Sequence, residues 1–214
     1  MVWSVEDSKR VEWSRIRERA EKTCRSSLRA LEYLSRGLKA VIELLRSREG
    51  VALDGGSGTG LMATILRVSG FRGDIVCMDL DPAMLFIAKR LSSCTHVVVA
   101  DLRMLPLRSG SVSIAVLGSV VHEIELEPLV AELSRVCASR CVVAIVDAVL
   151  RFLSDFIHRV ARSLLQRRLR VAEVPHRVES IRRVLESRGF RKVLEHLWLR
   201  KLVKATVVGL WVKR

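Results

Sequence analysis

The chain contains no apolar run approaching the roughly 20 residues needed to span a bilayer. Its first residues, Met1-Val2-Trp3-Ser4-Val5-Glu6-Asp7, lack the charged start and apolar stretch of a secretion signal. Both absences lead to the expectation of a cytoplasmic protein without a membrane span. The five cysteines, at 24, 77, 94, 137 and 141, include no Cys-x-x-Cys pair. No metal site is therefore expected, and structural thiols in a reducing compartment are the default, with Cys137 and Cys141 a redox pair only in a thermophile's protein. There is no internal repeat and no low-complexity tract. What remains is a chain of 214 residues, half of them apolar, enough for one α/β unit with a sizeable core.

The most informative segment is Val51-Ala52-Leu53-Asp54-Gly55-Gly56-Ser57-Gly58-Thr59-Gly60. Three apolar residues read as the end of a buried parallel strand, closed by an acid and followed by a loop with four glycines. Leu61 to Leu66 resume in a helical pattern. Strand, glycine turn and helix in that order set backbone N–H groups and a helix N-terminus against a ligand, where bulky side chains would exclude it. The dinucleotide fingerprint wants glycine or alanine three residues after its second glycine, and Leu61 fits that position badly. A second strand, Asp74 to Asp79, ends in an acid about 20 residues beyond the loop, where a carboxylate can take both ribose hydroxyls of a nucleoside. Asp81-Pro82 then supplies a cap and a first-turn proline for another helix. A third strand, Val97 to Ala100, ends in Asp101, a fourth, Ser113 to Leu117, opens into Gly118-Ser119-Val120-Val121-His122-Glu123-Ile124, and a fifth runs from Cys141 to Asp147.

The spacing Asp54-x-Gly56-x-Gly58-x-Gly60 resembles motif I of the class I S-adenosylmethionine (SAM)-dependent methyltransferases. Val76 to Leu85 is similar to that family's second motif, departing at Met78 and Asp81. Leu105-Pro106-Leu107 through Val112 is similar to its L-P-F-x-x-x-S-F stretch, although Ser113 stands where the family usually has Asp. The resemblance implies a Rossmann-like three-layer sandwich with a seven-stranded, mostly parallel sheet and an antiparallel C-terminal hairpin strand. It implies SAM as cofactor, with Asp54 fixing the loop and facing the methionine part, Asp79 on the ribose, Asp101 on the adenine amino group and the Leu102 backbone on a ring nitrogen. Gly55, Gly56, Ser57, Gly58, Gly60, Leu80, Met84, Gly118 and Ser119 complete the expected cofactor contacts. The expected division is a leading helical segment over 1–49, often a lid in this family, and a SAM-binding domain over 50–214, the whole forming one domain. Tyr33, the only tyrosine, is a candidate for that lid, with ordinary packing as the plainer reading.

Charge separates the chain into unlike parts. Residues 151–214 carry 17 Lys/Arg against 5 Asp/Glu, a net of +12 within a total of +14, while residues 51–150 carry a net of −2. Such asymmetry speaks to partners rather than to fold. The densest part, Leu150 to Arg170, reads as a long amphipathic helix. It is a sheet-covering element with a solvated arginine face, a surface for nucleic acid phosphates, or a membrane-surface or apolar-substrate lid. A further helix is expected over Pro175–Leu185, then strands around Val193–Leu199 and Ala205–Val212.

Methyl transfer is in-line displacement at a sulfonium, so positioning and water exclusion carry most of it. An amine or hydroxyl acceptor also needs a base, and the end of the fourth strand offers His122 and Glu123. His96, His158, His176 and His196 have no companions that suggest a site. The Asn/Asp/Ser-Pro-Pro-aromatic tetrad used for base-amine methylation is absent, as is the Pro-Cys dipeptide of cytosine C5 chemistry. The expectation is a methyltransferase acting on a small molecule. An RNA or protein acceptor held by the basic third, and a non-catalytic SAM-fold partner subunit, are the alternatives. The oligomeric state is not legible.

Overall fold

The computed structural model describes residues 32–43, 49–150, 176–199 and 204–214. Seven strands form one sheet in the order β3-β2-β1-β4-β5-β7-β6. They are β1 (Val51–Gly55), β2 (Asp74–Asp79), β3 (His96–Val99), β4 (Val112–Gly118), β5 (Cys137–Leu150), β6 (Phe190–Leu199) and β7 (Lys204–Lys213). Strands β1 to β5 pair in parallel, whereas β7 runs antiparallel to both β5 and β6. The expected Rossmann-like sheet, mostly parallel with an antiparallel C-terminal strand, is what forms.

Alternation along the strands builds two cores, because successive side chains in a strand face opposite ways. Leu53, Met78, Leu117, Val143, Ile145 and Trp211 enter one layer, and Ala52, Ile75, Cys77, Val116, Ala144 and Leu210 enter the other. Helix α1 (residues 32–43), α2 (Leu61–Val68) and α3 (Pro82–Leu91) cover the second layer. Helix α4 (Leu126–Val136) and α5 (Val178–Ser187) cover the first. In α4 the buried residues are Leu126, Leu129, Val130, Leu133 and Val136, one stripe at helical spacing. Burying each of its leucines contributes about 1.5–3 kcal/mol. Asp81 caps α3 by accepting from the Ala83 N–H at 2.8 Å, with Pro82 in the first turn.

Several sequence expectations shift. Strand β5 starts at Cys137 rather than 141 and runs on to Leu150, so the expected long helix loses its first residue. A register shift between Val112 and Ile114 lets β5 keep pairing with β4 across that extra length, and β7 pairs with its far end up to Leu150. The rest of that helix, including His158 and the arginines at 162, 167, 168 and 170, lies outside the described residues. The last helix begins at Val178, with His176 and Arg177 ahead of it. Ser113 replaces the family's usual Asp and holds the strand opening by donating to the Val51 carbonyl at 3.0 Å. Of the leading segment, residues 32–43 bury Leu34, Leu38, Val41 and Ile42 against the sheet. There Tyr33 stacks on His196, with ring centroids 5.1 Å apart.

The cysteines differ most. Cys77 is joined to Cys94, and Cys137 to Cys141, as disulfides rather than free thiols. Parallel pairing of β2 and β3 brings Cys94, just ahead of β3, beside Cys77 across 17 residues of sequence. No helix among the described residues is long and apolar enough to cross a membrane.

Candidate functional site

The strand order reverses between β1 and β4, and a cavity of about 1190 Å³ opens there at the carboxyl ends of the strands. The glycine loop between β1 and α2 forms its floor. Gly56 has φ +64°, and a Cβ at that position would sit 2.3 Å from Val120 Cγ2, so only glycine lets the loop approach the β4 turn. Gly58 also has positive φ, and nothing lies within 4 Å of where its Cβ would be, so the loop is open to the cavity at that point.

Two acids hold this loop from below. Asp79 Oδ2 accepts from the Gly58 N–H at 2.8 Å, and its Oδ1 accepts from the Asp81 N–H at 3.0 Å. The Ser57 N–H donates to the Met78 carbonyl at 2.9 Å. Asp54 Oδ2 accepts from the Ala63 N–H at 2.8 Å in the first turn of α2, and its Oδ1 is buried without a hydrogen-bond partner. Burial pushes the Asp54 carboxyl up to about 7; the Ala63 N–H pulls it down and the Asp79 charge adds to the rise.

The structure gathers most of the residues singled out in the sequence. Gly56, Ser57, Gly58, Asp79, Leu80 and Met84 line one side of the cavity, and Asp101 and Leu102 its edge. Gly118, Ser119, His122 and Glu123 line the opposite side. Asp54, Gly55 and Gly60 are not on the wall; they lie behind it, and Asp54 is fully buried. Asp101 is engaged by its near neighbour Arg103, whose Nη2 lies 2.6 Å from Oδ2 and whose Nε lies 3.0 Å from both oxygens. That guanidinium holds the Asp101 carboxyl below the usual carboxylate range. Of the other histidines, His96 opens β3 on the exposed side, and His176 is buried with Nε2 2.7 Å from the Ile124 carbonyl.

One residue escaped the sequence reading. Asp147, in β5, is fully buried and lies on the cavity wall beside His122. Its Oδ1 is 2.6 Å from His122 Nδ1, while Oδ2 accepts from the Val121 N–H at 2.6 Å and the His122 N–H at 3.2 Å. The turn that makes this contact begins at Ser119, a non-glycine residue with φ +56°, whose N–H donates to the Val146 carbonyl at 2.8 Å. A short 3₁₀ turn over Val121–Glu123 then carries His122 back across the end of β5. Glu123 Oε1 stands 3.8 Å from His122 Nε2.

A seven-stranded Rossmann-like sheet with a glycine loop and a strand-end acid at its switch point is a fold of the methyltransferase type. Residues 53–145 match a family model described as a methyltransferase domain. Among solved structures the chain is similar to a candidate sarcosine dimethylglycine methyltransferase from Galdieria sulphuraria, with TM-score 0.70 and 16% identity over 87% of this chain and 86% of that one. It is also similar to a candidate methyltransferase from Bacillus halodurans, with TM-score 0.66 and 14% identity over 82% and 98%. A third is the geranyl diphosphate C-methyltransferase of Streptomyces coelicolor, solved with Mg2+, geranyl diphosphate and S-adenosyl-L-homocysteine, with TM-score 0.61 and 11% identity over 82% and 80%. No curated protein matches the sequence. The structural likenesses carry the fold, and the domain match over residues 53–145 supports a class I SAM-dependent methyltransferase.

Proposed function

We propose that the cavity binds SAM across the glycine loop and transfers its methyl group to a small-molecule acceptor. The residues present suit that cofactor. Asp79 has both oxygens at the strand end, where a ribose diol can join its two backbone donors, since an ionised carboxylate offers about four acceptor positions. The loop at Gly58 leaves room for the cofactor chain, and the exposed Leu80 and Met84 side chains offer apolar surface for a flat base. Bound SAM supplies a methyl group on a positively charged sulfur. The chain's part is to hold cofactor and acceptor in line and to keep water out. Gly118 and Ser119 mark the boundary between the cofactor side and the acceptor side, where His122 and Glu123 stand.

The observation that carries the small-molecule reading is the size of the cavity. At about 1190 Å³ it exceeds the 300–1,000 Å³ typical of a site for one ligand, leaving space for a second small molecule beside the cofactor. The named relatives whose substrates are small support the same reading. The test is to incubate the protein with methyl-labelled SAM, a small-metabolite extract and total RNA, then separate products by size. Label in the small-molecule fraction is the expected result. Label confined to a ribonuclease-sensitive polymer would overturn it in favour of the basic third acting on RNA.

A further inference from the structure

Resting on the proposed site, we infer that Asp147 is a positioning residue that sets the tautomer of His122, and that the acceptor is therefore a nucleophile that must lose a proton, a hydroxyl or an amine. The inference starts from what Asp147 can and cannot do. One of its oxygens accepts two backbone N–H groups of the turn, Val121 and His122, and the other lies 2.6 Å from His122 Nδ1. An ionised carboxylate only accepts, so Nδ1 must carry the hydrogen of the neutral imidazole and Nε2 must carry the lone pair. Three contacts from one buried acid, two of them to the backbone that bears the ring, fix the ring's position as well as its proton. Two roles for a strand-end acid are thereby joined: one oxygen builds the turn and the other orients a base.

His122 lies on the wall of the same cavity, and the charged groups around it are known for the described elements. Glu123 is 3.8 Å from Nε2, Asp147 is on Nδ1, and Glu125 with the Asp101–Arg103 pair lines the wall further along. Asp79 and Asp81 stand across the cavity. A neutral imidazole on the cavity wall with its lone pair on Nε2 is a base for one proton. A carbon or thioether nucleophile gives its electrons to a methyl carbon without needing such a group at the moment of attack. For a hydroxyl or amine the step balances as follows. The acceptor heteroatom forms the bond to the methyl carbon, the carbon–sulfur bond breaks with its pair left on sulfur, and the heteroatom's proton passes to His122 Nε2. Asp147 then faces an imidazolium, whose charge it is placed to stabilise.

The test reads the tautomer directly and needs no acceptor. Long-range nitrogen–proton correlation spectra of the histidine-15N-labelled protein should show His122 with its proton on Nδ1 in the wild type. In Asp147→Asn, an amide NH2 that donates to Nδ1 should move the proton to Nε2. A wild-type ring protonated on Nε2 would overturn the inference whether or not the variant folds. Activity is read with methyl-labelled SAM against a fixed panel of small phenols, alcohols and amines, with alkenes and thioethers of matched size beside them. Turnover should be confined to the protic set, should fall by about 10²–10⁴-fold in Asp147→Asn and in His122→Gln, and should fall no further in the double variant. The acid limb of the pH–rate profile should vanish in His122→Gln. Turnover of the alkenes or thioethers alone, or additive losses in the double variant, would refute the inference. Calorimetric SAM binding is measured on the same samples: its absence in the wild type would strike the cofactor reading, whereas intact binding with the wrong tautomer would strike only this one.

Discussion

Asp54 offers a perturbation whose magnitude follows from its surroundings. Its carboxyl is fully buried, with one oxygen satisfied by the Ala63 N–H and the other unpartnered, and burial lifts it from 3.8 to about 7. A carboxyl raised in the folded state favours the protonated form there. Its contribution to stability is therefore fully present below pH 4 and is lost as pH climbs to about 7. A rise of about three pKa units corresponds to about 4 kcal/mol across that window. Glu132, held low by Arg135, and Asp101, held low by Arg103, act in the opposite sense and only at the acid end, below the ordinary carboxylate range. Histidines titrate within the same window, so the difference between wild type and Asp54→Asn isolates the effect. The asparagine keeps an acceptor for Ala63 and cannot ionise. Urea unfolding at pH 5 and pH 8 should show the variant gaining on the wild type by about 3 kcal/mol at the higher pH, since about two of the three pKa units lie above pH 5. Equal differences at the two pH values would mean that Asp54 is solvated and ionised, and that it does not pin the loop in the way described.

Asp79→Ala should weaken SAM binding tenfold or more by calorimetry, since a hydrogen bond to a charged group contributes about 1.5–3 kcal/mol and 1.4 kcal/mol is a factor of ten. Part of that loss reflects the released Gly58 and Asp81 N–H groups, so Asp79→Asn should lose less. An unchanged dissociation constant in a folded Asp79→Ala protein would remove Asp79 from the site. Replacing Arg167, Arg168 and Arg170 by glutamine should leave SAM binding and small-molecule methylation intact. Salt-dependent RNA binding with a slope of about −0.7 per phosphate, lost in that variant, would instead point to an RNA acceptor.

Much of the site was legible because its signals are local in sequence. A glycine loop follows a strand-end acid, and a second acid ends the next strand, so the Asp54–Gly60 loop and Asp79 could be read without knowing what packs on them. Ligand ends of parallel strands coincide, and strand order alone then placed His122 and Glu123 at the cavity. Contacts made across the sheet were hidden. Asp147 looked like one more strand-end acid until the parallel pairing of β4 with β5, Gly118 beside Val146, set it under His122. Cys77 and Cys94 met by the same kind of pairing. The pairing of Asp101 with Arg103, two residues away, was hidden as well, because the guanidinium folds back onto the carboxylate and no strand pattern reveals so short a return. Strand β5 outran its expected limits because its ends are set by partners in β4 and β7 rather than by its own residues.

Isothermal calorimetry of the purified protein with SAM, its demethylated product and NAD addresses the cofactor directly. Micromolar or tighter binding of SAM and the product, with NAD hardly bound, is the expected result. Tighter binding of NAD than of SAM would contradict the assignment of the loop at 54–60 and of Asp79 to a methyl-donor site.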